Sequence, residues 1–207
     1  MRLDTHVHTS PGSRCSQMSI DSYLDAIQEL KVTVVCVTNH GDMNDYDEIV
    51  RRVPAGISVI PGVEISSVEG DFLIFSADLD YLRSLESTQL LPDRNSRPVE
   101  TAVVWAHPFA GVAGGLKMGE EYLSRVAPRV DGIEIYNGNW PDEEASRLAR
   151  RIADTYGLAE LGGSDTHRRE RLYRCWTEVC DVDGPAGLVL AIKNRRTKAI
   201  LPTRSSL

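Results

Sequence analysis

What is scarce in this sequence narrows its class first. Cysteine occurs only four times in 207 residues, as Cys15, Cys36, Cys175 and Cys180, and never as a CxxC pair. That argues against a disulfide framework, and a reducing compartment suits these thiols better. Long apolar runs are missing, since none approaches the ~20 residues that a membrane span needs. No membrane partner is therefore expected. The N-terminus carries Asp4, His6 and His8 where a secretory leader needs an apolar stretch, so a cytoplasmic location is expected. Positive charge is in deficit, with 23 Lys and Arg against 30 Asp and Glu and a formal net charge of -7. Nucleic acid attracts faces rich in Lys and Arg, so no stable nucleic-acid partner is expected; a local basic pocket for one phosphate remains compatible. There is no internal repeat, no low-complexity tract and no linker composition. The polar stretch from Ser84 to Pro98, with prolines at 92 and 98, reads as a loop. The expectation is a single domain over residues 1–207.

What is present is an alternation of short apolar runs with helical stripes. Val32 to Val37 is a continuous run rich in β-branched residues, as in a strand buried on both faces. Ile57 to Val63, Val103 to Ala106, Gly132 to Tyr136 and Leu158 to Leu161 read the same way. Ile20, Tyr23, Leu24, Ile27 and Leu30 recur at helical spacing behind Ser19, a good N-cap. A second stripe runs from Ala145 to Tyr156, and Gly157 follows it as a helix stop. This alternation predicts an α/β fold on a mostly parallel sheet.

All five histidines fall where such strands end. His6 and His8 close the first strand, His40 the second, His107 the run Val103 to Ala106, and His167 follows the strand ending near Leu161. Glu64 ends the run Ile57 to Val63, and Asp165 precedes His167 by two. The C-terminal ends of parallel strands share one face, where ligands bind, so residues far apart in sequence converge. Positions i and i+2 of a strand point to one side, which lets Asp4, His6 and His8 face inward together. Imidazole and carboxylate donors suit Zn, Mn or Fe, and a carboxylate such as Glu64 is able to bridge two ions. A cluster of ions lowers the pKa of water toward neutrality and clamps phosphoryl oxygens. The candidate ligands are Asp4, His6, His8, His40, Glu64, His107, Asp165 and His167, with Glu64, Asp165 and His167 as candidate catalytic groups.

At these residues the chain resembles the polymerase and histidinol phosphatase (PHP) superfamily. The resemblance rests on Asp4-Thr5-His6-Val7-His8, Thr38-Asn39-His40, Gly62-Val63-Glu64, Ala106-His107-Pro108 and Gly163-Ser164-Asp165-Thr166-His167, in that order along nearly the whole chain. It implies a distorted (β/α)7 TIM-like barrel of parallel strands. It also implies a metal-dependent phosphoesterase with two or three divalent ions (Zn, Mn or Fe) and water activated on metal as nucleophile. His6, His8, Glu64 and Asp165 would hold one ion, Glu64 and His107 a second, His40 and His167 a third. Two positions depart from the pattern. Cys15 stands where relatives carry an Asp or His of the third site, and is either a soft-metal ligand or a free loop thiol. The strand Gly70 to Phe75 lacks the histidine of many relatives, leaving Asp71 as a substitute or as a surface carboxylate.

Phosphate recognition favours arginine, whose planar fork pairs with phosphate oxygens. Arg168, directly after His167, is the first candidate and Arg14, in the first active-site loop, the second. Arg169, Arg171 and Arg174 lie close in sequence. Phe109 and Trp140 follow strand ends and offer a ring for stacking, or pack in the core. The expected partner is a small phosphorylated substrate, a metabolite or nucleotide ester. Other readings are a phosphotyrosine protein phosphatase, an amide or deaminating hydrolase on a similar barrel, and a metal-binding regulatory module without turnover.

Overall fold

The structure is a computed structural model that describes residues 1–85, 91–110, 120–180 and 182–202. Its elements in chain order are β1 (Arg2–Leu3), α1 (Ile20–Glu29), β2 (Val34–Val37), α2 (Asn44–Arg52), β3 (Ser58–Ser67), β4 (Gly70–Ser76), α3 (Leu79–Ser84), β5 (Thr101–Trp105), α4 (Glu120–Val126), β6 (Gly132–Asn137), α5 (Glu143–Tyr156), β7 (Ala159–Gly163), β8 (Trp176–Val179), α6 (Pro185–Lys193) and β9 (Thr197–Ile200). Local chemistry explains the helix bounds. Ser19 caps α1 by accepting from the Ser22 backbone N–H at 3.2 Å. Asp142 caps α5 in the same way from Ala145, at 2.7 Å. Gly157 then ends α5 with φ 65°, a left-handed conformation that costs glycine little.

Six strands form one sheet in the order β2-β3-β4-β5-β6-β7. The segment Asp4 to Thr9 runs between its two ends. There Thr38 N–H donates to the Val7 carbonyl at 3.0 Å, and His8 N–H donates to the Thr166 carbonyl at 3.0 Å. Those bonds curl the sheet into a distorted α/β barrel of the TIM-like kind. Alternation along each strand feeds two apolar layers. Val34, Cys36, Leu73, Phe75 and Val104 share an inner cluster with Leu188 and Ile192 of α6. Val35, Val37, Phe72, Ile74 and Val103 face the outer helices, where Ile27, Ile49 and Ile152 pack. Burying a side chain of this size contributes about 1.5–3 kcal/mol.

Two features depart from the sequence reading. The strand carrying Glu64 does not end there but continues to Ser67 and turns through Val68 and Glu69 into β4. A two-residue turn leaves no room for a crossover helix, so β4 runs antiparallel to both β3 and β5 instead of parallel. A separate antiparallel sheet, β1-β8-β9, was not expected at all. The loop read from Ser84 to Pro98 begins at the end of α3 and holds a short 3-10 turn at Arg94–Ser96; residues 86–90 lie outside the described residues.

Candidate metal centre

Because β4 is reversed, its first residues lie on the same face as the last residues of its neighbours. That face collects His6 and His8 from the closing segment, His40 after β2, Glu64 from β3, Asp71 from β4, His107 after β5, and Asp165 and His167 after β7. Four overlapping donor groups result, each with its ligand atoms within 4.8 Å of one another: His6, His8 and Glu64; His6, His107 and Asp165; Glu64, Asp71 and His107; His8, His40 and His167. His107 and Asp165 both have positive φ, 24° and 49°, a strained conformation for non-glycine residues that is found where geometry serves a site.

The hydrogen bonds around the histidines fix which ring nitrogen faces inward. His6 Nδ1 lies 3.0 Å from Glu134 Oε1, a carboxylate that only accepts, so this nitrogen carries the proton. His8 Nδ1 lies 2.9 Å from Ser13 Oγ. That hydroxyl donates its hydrogen to Asn39 Oδ1 at 2.9 Å, so His8 must donate to it. In the neutral form of each ring Nε2 is therefore a bare lone pair, and the two Nε2 atoms face each other at 3.0 Å. Glu64 Oε2 joins them at 3.3 Å from His6 and 3.1 Å from His8, and lies 3.1 Å from His40 Nδ1. This oxygen is buried and has no hydrogen-bond partner among the described residues. Asp165 Oδ1 completes the group at 3.6 and 3.4 Å from the two Nε2 atoms. Electron pairs gathered this way repel unless a cation sits among them. The separations match the edges of a coordination shell with bonds of about 2.0–2.2 Å. The residues present fit divalent ions.

The electrostatics agree. Burial alone would lower His6, but the carboxylates of Asp165, Glu134 and Glu64 override it and raise it well above the ordinary value. His8 and His107 are raised against burial by the same kind of carboxylate contact. Burial would raise Asp165, yet the imidazoles of His6 and His8 hold it down at about 2. His40 and His167, nearer solvent, are lowered, first by burial. Without metal the cluster relieves its crowded lone pairs by taking up protons; a divalent ion uses the same lone pairs.

Glu134 is the functional residue that the sequence reading missed. It is buried, and its second oxygen accepts from the His107 backbone N–H at 2.8 Å and from Asn137 Nδ2 at 3.0 Å. One carboxylate thus orients two of the histidines. Its signal was a lone acidic residue between Ile133 and Ile135. Gly163 makes room for it, because a Cβ there would come within 2.5 Å of His6 Cβ and 2.7 Å of Glu134 Oε1.

Asp4 stands apart from the four donor groups, with its oxygens bonded elsewhere. They accept from Ser164 N–H at 2.8 Å, Ser164 Oγ at 2.5 Å and Tyr173 N–H at 2.9 Å. Burial pushes its pKa up to about 6 despite those bonds. Asp4 ties the closing segment to the chain after β7, and we propose a structural role for it. Asp71, left open by the sequence, comes within 3.9 Å of His107 Nδ1.

Two cavities flank the cluster. One, of about 330 Å³, is lined by Asn139, His167, Arg168 and Arg171. The other, of about 240 Å³, reaches from His107 and Glu134 past Phe109 to Trp140 and Pro141. Arg168 is exposed and forms no ion pair among the described residues, whereas Arg169 is tied to Glu29 at 2.6 Å. Arg14 is exposed on the loop that also carries Cys15, with no ion pair among the described residues.

This fold matches several solved structures. PsfC from Pseudomonas syringae aligns with a TM-score of 0.70 and 20% identity over 99% of this chain and 93% of that one. A protein from Bifidobacterium adolescentis, provisionally described as a metal-dependent phosphoesterase, aligns at 0.61 and 16% over 81% and 88%. An amidohydrolase from Chromobacterium violaceum, with bound sulfate and no metal, aligns at 0.59 and 15% over 100% of both chains. No curated protein matches the sequence. The profile of the PHP domain matches residues 4–164, and that of the PHP-associated region matches residues 143–197. The chain belongs to the PHP-domain family, and with that family it is a metal-dependent hydrolase.

Proposed function

We propose that this chain hydrolyses a phosphate ester of a small molecule. The observation that carries the reading is the buried, unpartnered Glu64 Oε2 among the nitrogens of His6, His8 and His40. An oxygen so placed calls for cations, and several cations on one open face suit phosphoryl transfer. In the proposed assignment His6, His8, Glu64 and Asp165 hold one ion, and Glu64, His107 and Asp71 a second. His40 and His167 hold a third. Zinc, manganese or iron bound there lowers the pKa of water toward neutrality and neutralises charge on phosphoryl oxygens. Asp165 keeps its negative charge at working pH. His167 Nδ1 faces the Asp165 carbonyl at 3.0 Å and its Nε2 is left for the ion, so Asp165, through its second carboxylate oxygen, is the group proposed to manage the proton of the attacking water.

We further propose that residues 1–207 work as one domain. Leu3 of β1 and Val179 of β8 share the inner apolar cluster with the barrel strands, which supports that reading. No helix among the described residues is long and apolar enough to cross a membrane.

Three measurements test the assignment. Elemental analysis after reconstitution should find about two or three transition-metal ions per chain; under half an ion would sink the reading. Metal-loaded protein should cleave members of a panel of phosphorylated metabolites and p-nitrophenyl esters. Hydrolysis in heavy-oxygen water should place the label in phosphate, and a trapped phosphoenzyme would contradict direct attack by water.

Arg168 is proposed to bind the phosphate, since it lines the cavity beside His167 and has no competing ion pair among the described residues. Arg168→Ala should cut kcat/KM about tenfold, in line with ~1.5–3 kcal/mol for one charge-assisted hydrogen bond, with metal content unchanged. Kinetics within twofold of wild type, with Arg14→Ala crippled, would move the role to Arg14.

A further inference from the structure

We propose that Cys15 is a thiolate ligand of the ion held by His40 and His167, which makes that position selective for thiophilic metals. This rests on the metal-centre reading and goes beyond it by naming a soft donor and a metal preference. Cys15 Sγ lies 3.1 Å from His167 Nε2. The imidazoles of His40 and His167 flank that of His8, with ring centroids 4.5 and 4.4 Å from it, and the three offer nitrogens within 4.8 Å of one another.

The loop that carries Cys15 is pinned on both sides of the thiol. Before it, Ser13 Oγ accepts from His8 Nδ1 at 2.9 Å and from the His40 backbone N–H at 3.2 Å. After it, Ser16 Oγ donates to the His8 carbonyl at 2.9 Å, and Gln17 N–H donates to the His167 carbonyl at 2.8 Å. The thiol is thus fastened to three of the histidines through its neighbours. An independent observation shows that this half of the cluster wants another ligand. Among the described residues Glu64 Oε2, buried and without a hydrogen-bond partner, is the one carboxylate oxygen against His40, and it is shared with His6 and His8. Two imidazoles and one shared carboxylate oxygen leave a tetrahedral set one ligand short. Adding sulfur suits zinc or cobalt and disfavours magnesium and manganese, which prefer oxygen. Binding expels the thiol proton to solvent, because only the thiolate ligates. The competing reading is a plain hydrogen bond between the thiol and His167.

Cobalt(II) tells the two apart, since a thiolate on cobalt gives a near-ultraviolet charge-transfer band and a hydrogen bond gives none. Full-length protein titrated with cobalt should develop that band with its last ion. Cys15→Ser and Cys15→Ala should lose the band and about one ion of zinc under buffered free zinc, while Cys180→Ser keeps both. Cys15→Asp should bind a full complement again but retain manganese better than wild type, without the band. Circular dichroism establishes that each variant folds. Wild type that binds cobalt without the band, or a band that survives in Cys15→Ser, overturns the proposal and leaves the other ions in place. Protein that binds no cobalt at any site overturns the metal centre and this ligand together.

Discussion

Glu64→Gln is expected to lower turnover at least about a hundredfold and to cost the protein bound metal, while the metal-free fold persists. The two effects have one cause. Glu64 Oε1 lies 3.0 Å from His107 Nε2, and Oε2 lies among His6, His8 and His40. The four ring nitrogens around Glu64 lie at 3.0–3.3 Å, nearer than the four around Asp165 at 3.4–4.0 Å, and it is the proposed bridge. Glutamine keeps the shape and removes the charge, so the second ion loses its anionic bridge and the phosphoryl clamp goes with it. In the apo protein the amide keeps the shape of the side chain and one oxygen to accept from the imidazoles, so the fold persists although the anionic partner of His6 and His8 is gone. The check is kcat/KM at saturating metal, metal content, and melting with and without chelator. Near-normal turnover refutes the bridge. Melting that collapses in chelator points to a folding defect instead of a lost ligand.

Much of the barrel is legible in the sequence because alternation and burial leave a pattern in residue type. Val34 to Val37 is apolar at every position since both faces of that strand are covered. Ser19, Asp142 and Gly157 mark helix ends through side-chain or backbone chemistry that acts over three residues. Direction carries no such mark. The side chains of β4 alternate in the same way whichever way the strand runs, and only the two-residue connection at Val68 and Glu69 betrays the hairpin. Helix α6 was missed because it is apolar around most of its girth. Leu188, Val189, Ala191 and Ile192 are all buried, so no polar face sets off a helical stripe.

The same division runs through the site. The histidines were found because a strand end is a place, and the convergence of strand ends follows from the fold class. The place of Asp4 is not legible because a period of two specifies the side of a strand but not the depth. It shares a side with His6, yet sits one step further in, where Ser164 and Tyr173 consume its oxygens. Cys15 was undecided because a loop has no period, and its distance from His167 exists only once the loop is folded. Glu134 was passed over because it does not stand at a strand end. It acts on the site through other residues, and sequence spacing does not reveal such a role.

Glu134→Gln is expected to cost about 10–100-fold in metal affinity or activity, although glutamine has nearly the same shape. The wild-type carboxylate accepts on both oxygens. Oε1 takes the His6 Nδ1 proton, and Oε2 takes the N–H groups of His107 and Asn137. Glutamine has one oxygen to offer. If it faces His6, the amide hydrogens meet two donors, the His107 backbone is pushed away, and its ring moves off Glu64. If the amide is flipped, its hydrogens face His6 Nδ1 and force the proton onto Nε2, the nitrogen that faces His8, Glu64 and Asp165. A protonated Nε2 binds no metal. Either orientation spoils one histidine, and Gly163 leaves no slack for a compromise, since the backbone there already abuts both His6 and Glu134. The loss should appear as a weaker apparent affinity for added metal, partly rescued by raising its concentration, with circular dichroism unchanged. A mutant with wild-type metal affinity and wild-type kcat/KM would remove Glu134 from the account of how His6 and His107 are held.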